Sequence, residues 1–291
     1  MVKKAESSQK RVAVWSHWDW MVAGLGILLL ILGSLFDMGI NQAVNAPKSA
    51  FAVFLDRIGE MPGYLFLPFA AMVFFYAPPK PVAERAWARV IWRIVWFAAT
   101  ILTFYAVWEK IGGKWLPDDD YRSLFEMVFA VLSAVGFLWL LSAVPKETFQ
   151  SLRRFALYAV VVFLFTTFLI EILKSVAGRM RYRDVIETAN NSGFSPWYRW
   201  GLDNGKSFPS GHVGFAGGLF LLTALPNAFE KLHKYRVALL LGPLAFTLLV
   251  ALARMMSGAH FLSDVSVSLL IAFLSARLIS FLFWRKAKQT Q

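Results

Sequence analysis

Long runs of apolar residues recur along the whole chain and are separated by short polar segments. A helix needs roughly 20 mostly apolar residues to cross a bilayer, and about eight stretches meet or approach that length. They lie at residues 18–37, 61–77, 90–109, 124–144, 155–173, 210–227, 236–255 and 261–284. The pattern therefore predicts an all-α, polytopic transmembrane helix bundle that forms a single integral membrane domain over residues 1–291. Residues 42–60 have an amphipathic pattern, and we expect them to lie on the membrane surface.

The composition agrees with this fold class, because 58% of the residues are hydrophobic and 16% are aromatic. Soluble globular proteins are rarely this apolar. The chain has no cysteine, which excludes disulfides, a thiol nucleophile and a zinc–thiolate site. Its net charge of +12 indicates basic cytoplasmic loops rather than nucleic-acid binding, and it also suits an anionic head group as ligand.

The basic residues of the loops predict the orientation of the bundle. With the amino terminus inside, the cytoplasmic segments are 1–14, 78–89, 145–154, 228–235 and 285–291, and each is basic. The external loop 174–206 is also basic, against this rule, so its charges require another explanation. Within it we expect Arg179 to bind head groups or to face solvent. Glu171 lies one turn before Lys174 and is expected either to form a salt bridge with it or to face solvent.

Three clusters of polar residues flank the last four predicted spans. They are found in "KSVAGRMRY", "PSGH" and "ARMMSGAHFLSD". The first contributes Lys174 and Arg181, the second Pro209, Ser210, Gly211 and His212, and the third Arg254, His260 and Asp264. These helix ends all lie on one side of the membrane in an eight-span topology, so we expect the clusters to meet at one face.

The residue types in these clusters are those of a phosphoryl-transfer site. One lysine and two arginines supply positive charges that match phosphate oxygens. The free backbone N–H groups of the helix that begins at Ser210 also favour an anion. Asp264 follows His260 by four residues, so we expect it to hold one ring nitrogen and to leave the other free to attack phosphorus. His212 is then the acid that protonates the leaving oxygen.

The combined pattern Lys-x6-Arg, Pro-Ser-Gly-His and Arg-x5-His-x3-Asp resembles that of the type 2 phosphatidic acid phosphatase family, the lipid phosphate phosphatases. The resemblance covers about residues 155–284, the expected catalytic core. It implies that His260 is the nucleophile oriented by Asp264, that His212 is the acid and base, and that the remaining motif residues bind phosphate. The chain has Tyr182 where the family usually has Pro, and Ala253 where it usually has Ser. The first four spans go beyond the usual six-helix plan, and the resemblance assigns them no role.

Residue chemistry and resemblance together predict a membrane lipid phosphatase. It is expected to hydrolyse a phosphate monoester or diphosphate of a lipid through a phosphohistidine intermediate at the extracytoplasmic face. The expected catalytic residues are His260, His212 and Asp264, and the expected phosphate-binding residues are Lys174, Arg181, Ser210, Gly211 and Arg254. We expect no metal and no cofactor, and as partners only the lipid phosphate substrate and membrane lipids, with no nucleic acid. Short loops and the lack of cysteine favour a bacterial inner membrane.

Two other functions fit the same residues. A phosphotransferase would use the same site and pass the phosphoryl group to a second lipid or a sugar. A non-enzymatic lipid transporter or binding protein would use the cations only to hold phosphate and would not need the pair of His260 and Asp264. The identity of the lipid and the oligomeric state stay open at this point.

Overall fold

The computed structural model describes residues 15–117, 121–201 and 205–285, and within these ranges the chain is helical without any β-strand. The α-helices are α1 (His17–Val44), α2 (Ala50–Ile58), α3 (Met61–Tyr76), α4 (Lys80–Ala83), α5 (Ala86–Trp115), α6 (Arg122–Leu141), α7 (Lys146–Ala177), α8 (Tyr182–Val185), α9 (Gly211–Ala216), α10 (Leu225–Ala228), α11 (Ala238–Met256) and α12 (Leu262–Arg285). Short 3₁₀ segments lie at Ala189–Asn191, Gly217–Ala224 and Glu230–Tyr235. The predicted cytoplasmic residues 1–14 and 286–291 lie outside the described ranges.

Seven helical segments of the described chain are long and apolar enough to cross a membrane. They are His17–Val44, Ala50–Tyr76, Ala86–Trp115, Arg122–Leu141, Lys146–Val185, Ala238–Met256 and Leu262–Arg285. The predicted all-α, polytopic bundle is therefore confirmed, and the chain is an integral membrane protein by the length and composition of its helices. The sixth predicted span, 210–227, is helical from Gly211 to Ala228 but changes from α to 3₁₀ and back, so it is not one long α-helix.

One end of the bundle gathers the chain segments that carry the predicted site. The end of α1 meets the end of α11 there, because the N–H of Ala46 donates to the carbonyl oxygen of Met256 at 2.9 Å. The segment after α11 meets the start of α8 through a 2.9 Å hydrogen bond from Arg183 N–H to the Gly258 carbonyl. The amphipathic helix α2 lies at the same end and packs its buried Leu55 against α11.

Helix α1 packs closely along α12, and glycine makes this approach possible. A Cβ atom on Gly33 would lie 2.5 Å from the backbone nitrogen of Ser263, and one on Gly26 would lie 2.6 Å from a methyl carbon of Leu270. Small residues allow membrane helices to approach in this way. The helix departs from regular geometry at Phe36 (φ −133°, ψ 15°), directly before the buried Asp37. The contact thus fixes where α12 begins relative to α1.

Helices α5 and α6 form a hairpin on the outside of the bundle. Helix α5 packs against α3 and α6, and α3 in turn contacts α7 and α9. With 30 residues, α5 is longer than the roughly 20 residues that a bilayer requires. Its last turns approach α6 closely, because a Cβ on Gly112 would collide with the Glu126 carboxylate. The end of α5 therefore has a defined position at the same end of the bundle as α2.

Replacing Gly33 by Ala should lower the thermal unfolding midpoint of the purified protein by several degrees. The new methyl group meets the Ser263 backbone, which cannot rotate away, and overpacking of this kind costs about 1–3 kcal/mol. Gly24→Ala is the matched control, because Gly24 lies on the same helix and a Cβ there meets nothing within 4 Å. Equal midpoints for the two variants would contradict the proposed close packing of α1 against α12.

Candidate active site

The three predicted clusters lie together at one end of the bundle. A Cβ on Gly211 would lie 3.4 Å from the Lys174 Nζ atom, so the first cluster reaches the second. The Ser210 N–H donates to the Asp264 carbonyl oxygen at 3.4 Å, so the second reaches the third. The chain therefore brings together residues that are separated by up to 90 positions in sequence, as the topology predicted.

The first cluster is placed by the end of α7. Gly178 has a left-handed backbone (φ +64°), ends the helix and turns the chain toward Arg181, which precedes α8. Lys174 lies in the last turn of α7 and donates to Glu171 Oε1 at 2.9 Å, so the salt bridge considered from the sequence is present. The Nε atom of Arg181 is buried and has no hydrogen-bond partner among the described residues.

The second cluster begins a helix, as its sequence predicts. Ser210 precedes α9, and the peptide bond between Phe208 and Pro209 is cis. The Ser210 hydroxyl does not cap the helix, and its Oγ atom is buried without a partner within the described part of the chain. His212 lies in the first turn of α9. A buried hydrogen-bond donor without a partner costs free energy of folding. The Ser210 hydroxyl and the Arg181 Nε–H are both suited to donate to phosphate oxygens.

His260 is buried with one ring nitrogen held by the backbone. Its Nδ1 atom lies 2.6 Å from the carbonyl oxygen of Ser207. A carbonyl oxygen can only accept, so Nδ1 carries the proton and Nε2 keeps its lone pair. Burial, followed by the charge of Arg254, lowers the pKa of His260 well below its usual 6.5, which keeps the ring neutral. This is the state that a nucleophilic histidine requires.

The predicted hydrogen bond between Asp264 and His260 is wrong. The Asp264 Oδ2 atom is 4.0 Å from His260 Nδ1, because α12 begins only at Leu262 and His260 precedes the helix. Asp264 instead accepts from the Phe261 N–H at 2.8 Å and from the Ser207 hydroxyl at 2.5 Å. It therefore acts on His260 through Ser207, whose carbonyl group holds the ring.

Arg179 is also not where the sequence suggested, because only 1% of its surface is exposed. Its guanidinium donates to Asp264 Oδ1 at 2.5 Å, to Asp37 Oδ2 at 2.9 Å and to the Ser195 carbonyl at 2.9 Å. It neither faces solvent nor is free to bind head groups. It joins α1, α12 and the loop after α7 in one buried network.

Helix α1 supports the His260 segment with two polar side chains that the sequence reasoning missed. Asn41 donates to the His260 carbonyl oxygen at 2.8 Å, and Asp37 accepts from the Ser263 N–H at 2.9 Å. Both side chains are buried. An ionisable residue within an apolar span is a functional candidate by default, and this signal could have identified Asp37.

Helices α2 and α5 contribute further charged groups to the same site. Asp56 forms an ion pair with Arg254. Lys114 Nζ lies 2.6 Å from Glu60 Oε1 and 3.0 Å from His212 Nε2. The sequence placed residues 42–60 on the membrane surface, but the acidic residues at the end of this stretch face the site. Asp56 lies on α2, whereas Glu60 lies between α2 and α3, so a shared helix face does not explain how the two residues meet.

The arrangement combines cations, unpaired donors and a neutral histidine with a free nitrogen. It is suited to bind a phosphate group and to accept a phosphoryl group on His260. Among residues 15–117, 121–201 and 205–285, no group of three or more His, Asp or Glu side chains is placed to hold a metal ion.

Comparison with known proteins agrees with this chemistry. No curated protein and no solved structure matches the chain. Residues 155–288 match the family model described as the PAP2 superfamily, and this range contains all three clusters. This part of the chain, which begins within α7 and includes α12, is therefore similar to the PAP2 superfamily.

Proposed function

We propose that the protein is a membrane lipid phosphatase that works through a phosphohistidine on His260. The observation that supports this most directly is the hydrogen bond from His260 Nδ1 to the Ser207 carbonyl, which leaves Nε2 unprotonated on a ring that burial and the charge of Arg254 keep neutral. Members of the PAP2 superfamily are phosphatases, so the match supports hydrolysis of phosphate esters in general. We further propose that the substrate is a lipid, that the intermediate is covalent and that the site faces the outside of the membrane.

In the first step, His260 Nε2 attacks phosphorus and the bond to the leaving oxygen breaks. His212, in its protonated form, gives its proton to that oxygen. Negative charge accumulates on the phosphoryl oxygens, where Lys174, Arg181 and Arg254 stabilise it. Arg254 exchanges its partner Asp56 for a phosphoryl oxygen in this step.

In the second step, water cleaves the phosphohistidine. His212 has lost its proton and now removes one from the water, whose oxygen attacks phosphorus. The bond between nitrogen and phosphorus breaks, the electron pair returns to His260 Nε2, and inorganic phosphate leaves. Ser207 holds the opposite ring nitrogen throughout, so the imidazole keeps one orientation in both steps.

The substrate is proposed to be a phosphate monoester or diphosphate of a lipid in the outer leaflet of a bacterial inner membrane. The site lies at the ends of apolar helices rather than in a soluble domain, so the tail of a lipid can stay in the bilayer while its phosphate reaches the cations. The basic segments at the other end of the bundle support a cytoplasmic location for that end. Phosphate release without an added acceptor distinguishes hydrolysis from transfer to a second lipid.

His260→Ala should abolish phosphate release, because no other group in the proposed mechanism accepts the phosphoryl group. His212→Ala should slow the reaction by roughly 100-fold or more and should accumulate phosphohistidine when the leaving group is good. His233→Ala is the control, because His233 is exposed in the segment between α10 and α11. Phosphate release and acid-labile ³²P on the protein are the measurements, and an active His260→Ala protein would rule out the mechanism.

Activity should survive chelation of divalent metals and should be inhibited by vanadate. The proposed charge stabilisation comes from side chains, and vanadate copies the five-coordinate geometry of the transition state. Phosphate release is measured in excess EDTA and across a vanadate titration. Loss of activity in EDTA that magnesium restores would contradict the proposal that the side chains suffice.

Single cysteines should show which side of the membrane the site faces, because the chain has no cysteine of its own. Ala189 lies in the exposed loop at the site end, and Lys231 is exposed at the other end. In intact cells, an impermeant thiol reagent should label Ala189→Cys but not Lys231→Cys. Both should label after permeabilisation, and the reverse pattern in intact cells would overturn the proposed orientation.

A further inference from the structure

Lys114 is a cation of the active-site end that lies outside the family-matched segment 155–288. It belongs to the last turn of α5, on the hairpin that α5 forms with α6. Its Nζ atom lies 3.0 Å from Nε2 of His212, the residue proposed to protonate the leaving oxygen. No motif residue of the three clusters contacts His212 at hydrogen-bond distance in this way within the described chain.

The ammonium group of Lys114 has three N–H donors, and three acceptors surround it. These are Glu60 Oε1 at 2.6 Å, the Asp56 carbonyl oxygen at 2.8 Å and His212 Nε2 at 3.0 Å. An ammonium can only donate to Nε2, whereas the Asp56 carbonyl oxygen, which lies 3.2 Å from the same nitrogen, can only accept from it. The two contacts favour opposite tautomers of His212, so the role of Lys114 depends on its position beside Nε2 and not on which ring nitrogen carries the proton.

The position of Lys114 is fixed from several sides. Gly112 brings α5 against Glu126 of α6, and the guanidinium of Arg57 lies 4.4 Å from the centre of the Trp115 ring. The Lys114 side chain is mostly buried, with 19% of its surface exposed. A buried charge must be paired, and Glu60 pairs the Lys114 ammonium.

We propose that Lys114 is a catalytic residue that stabilises the negative charge on the leaving oxygen. This inference rests on the proposed function, in which the leaving oxygen lies within hydrogen-bond distance of His212. An oxygen in that position is also next to the Lys114 ammonium and can accept from it once Lys114 releases Nε2. Lys114 then shares the developing charge while His212, having taken up its proton with the anionic substrate bound, protonates the oxygen.

The proposal also gives the α5–α6 hairpin a role. The family-matched helices supply the nucleophile and the phosphate-binding cations, and the hairpin supplies a cation on the side of the leaving group. The substrate class that needs such a cation has an alkoxide-like leaving oxygen, as in the phosphate ester of an alcohol, because that oxygen develops the most charge when its bond to phosphorus breaks.

The test compares two substrates with tails of similar length in detergent micelles. One is a long-chain alkyl phosphate, whose leaving group is poor, and the other is an alkyl-substituted nitrophenyl phosphate, whose leaving group is good. Lys114→Met should lower kcat for the alkyl phosphate by roughly 100-fold and change that for the nitrophenyl phosphate by less than about threefold. Lys114→Arg should restore part of the loss, because it keeps the charge.

Lys110→Met is the matched control, because Lys110 lies one turn earlier on α5 with its Nζ atom 5.9 Å from the centre of the Tyr64 ring. It should behave as the wild type with both substrates. Equal losses of Lys114→Met on both substrates, a change in KM alone, or no loss would overturn the role of Lys114. His212→Ala should slow phosphohistidine formation from the alkyl phosphate far more than from the nitrophenyl phosphate, although it slows the later hydrolysis for both, and if it does not, the proposed function of His212 fails as well.

Discussion

The buried guanidinium of Arg179 is the interaction on which the site depends. A permanently charged group in an apolar interior must be fully paired, and Arg179 is paired by Asp37 of α1 and Asp264 of α12. These two contacts tie the first and last long helices to the loop that follows α7. The same Asp264 accepts from Ser207, whose carbonyl group holds His260. The orientation of the proposed nucleophile is thus linked to a charge network that lies behind it, away from the phosphate.

This dependence explains why the first spans are part of the site even though the family match begins at residue 155. Asp37 and Asn41 fix the segment that carries His260, while Glu60 and Lys114 surround His212. Polar side chains of the amino-terminal part of the chain therefore form direct hydrogen bonds with residues of the site. Separating residues 155–288 from the rest of the chain would leave Arg179 and His260 without partners that they have in the complete bundle.

Much of the architecture could be predicted from the sequence, because the length of an apolar run directly reports a membrane crossing. Seven of the eight predicted spans correspond to helices of spanning length in the described chain, and the other is helical but irregular. The convergence of the three clusters could also be predicted, since it follows from the direction of successive spans. The sequence could not show that His260 precedes α12, which begins at Leu262, and the expected hydrogen bond between His260 and Asp264 is absent for that reason.

The sequence pattern also could not predict which charged side chains are buried. Arg179 lies in a basic loop and resembles its solvated neighbours, yet it is paired with carboxylates that are 142 and 85 positions away. Lys114 and His212 are 98 positions apart and share no motif. Contacts of this range depend on how helices pack, and single-sequence patterns report only which face of each helix is apolar.

The hydrogen bond from His260 to the Ser207 carbonyl also has a consequence for the chemical identity of the proposed intermediate. A phosphoryl group can bond to either nitrogen of an imidazole ring, and the two products are distinct isomers with different stability in acid. Since Nδ1 is occupied by its proton and directed at a backbone oxygen, only Nε2 is open to phosphorus. The enzyme would therefore form τ-phosphohistidine and exclude the π isomer by the geometry of its main chain.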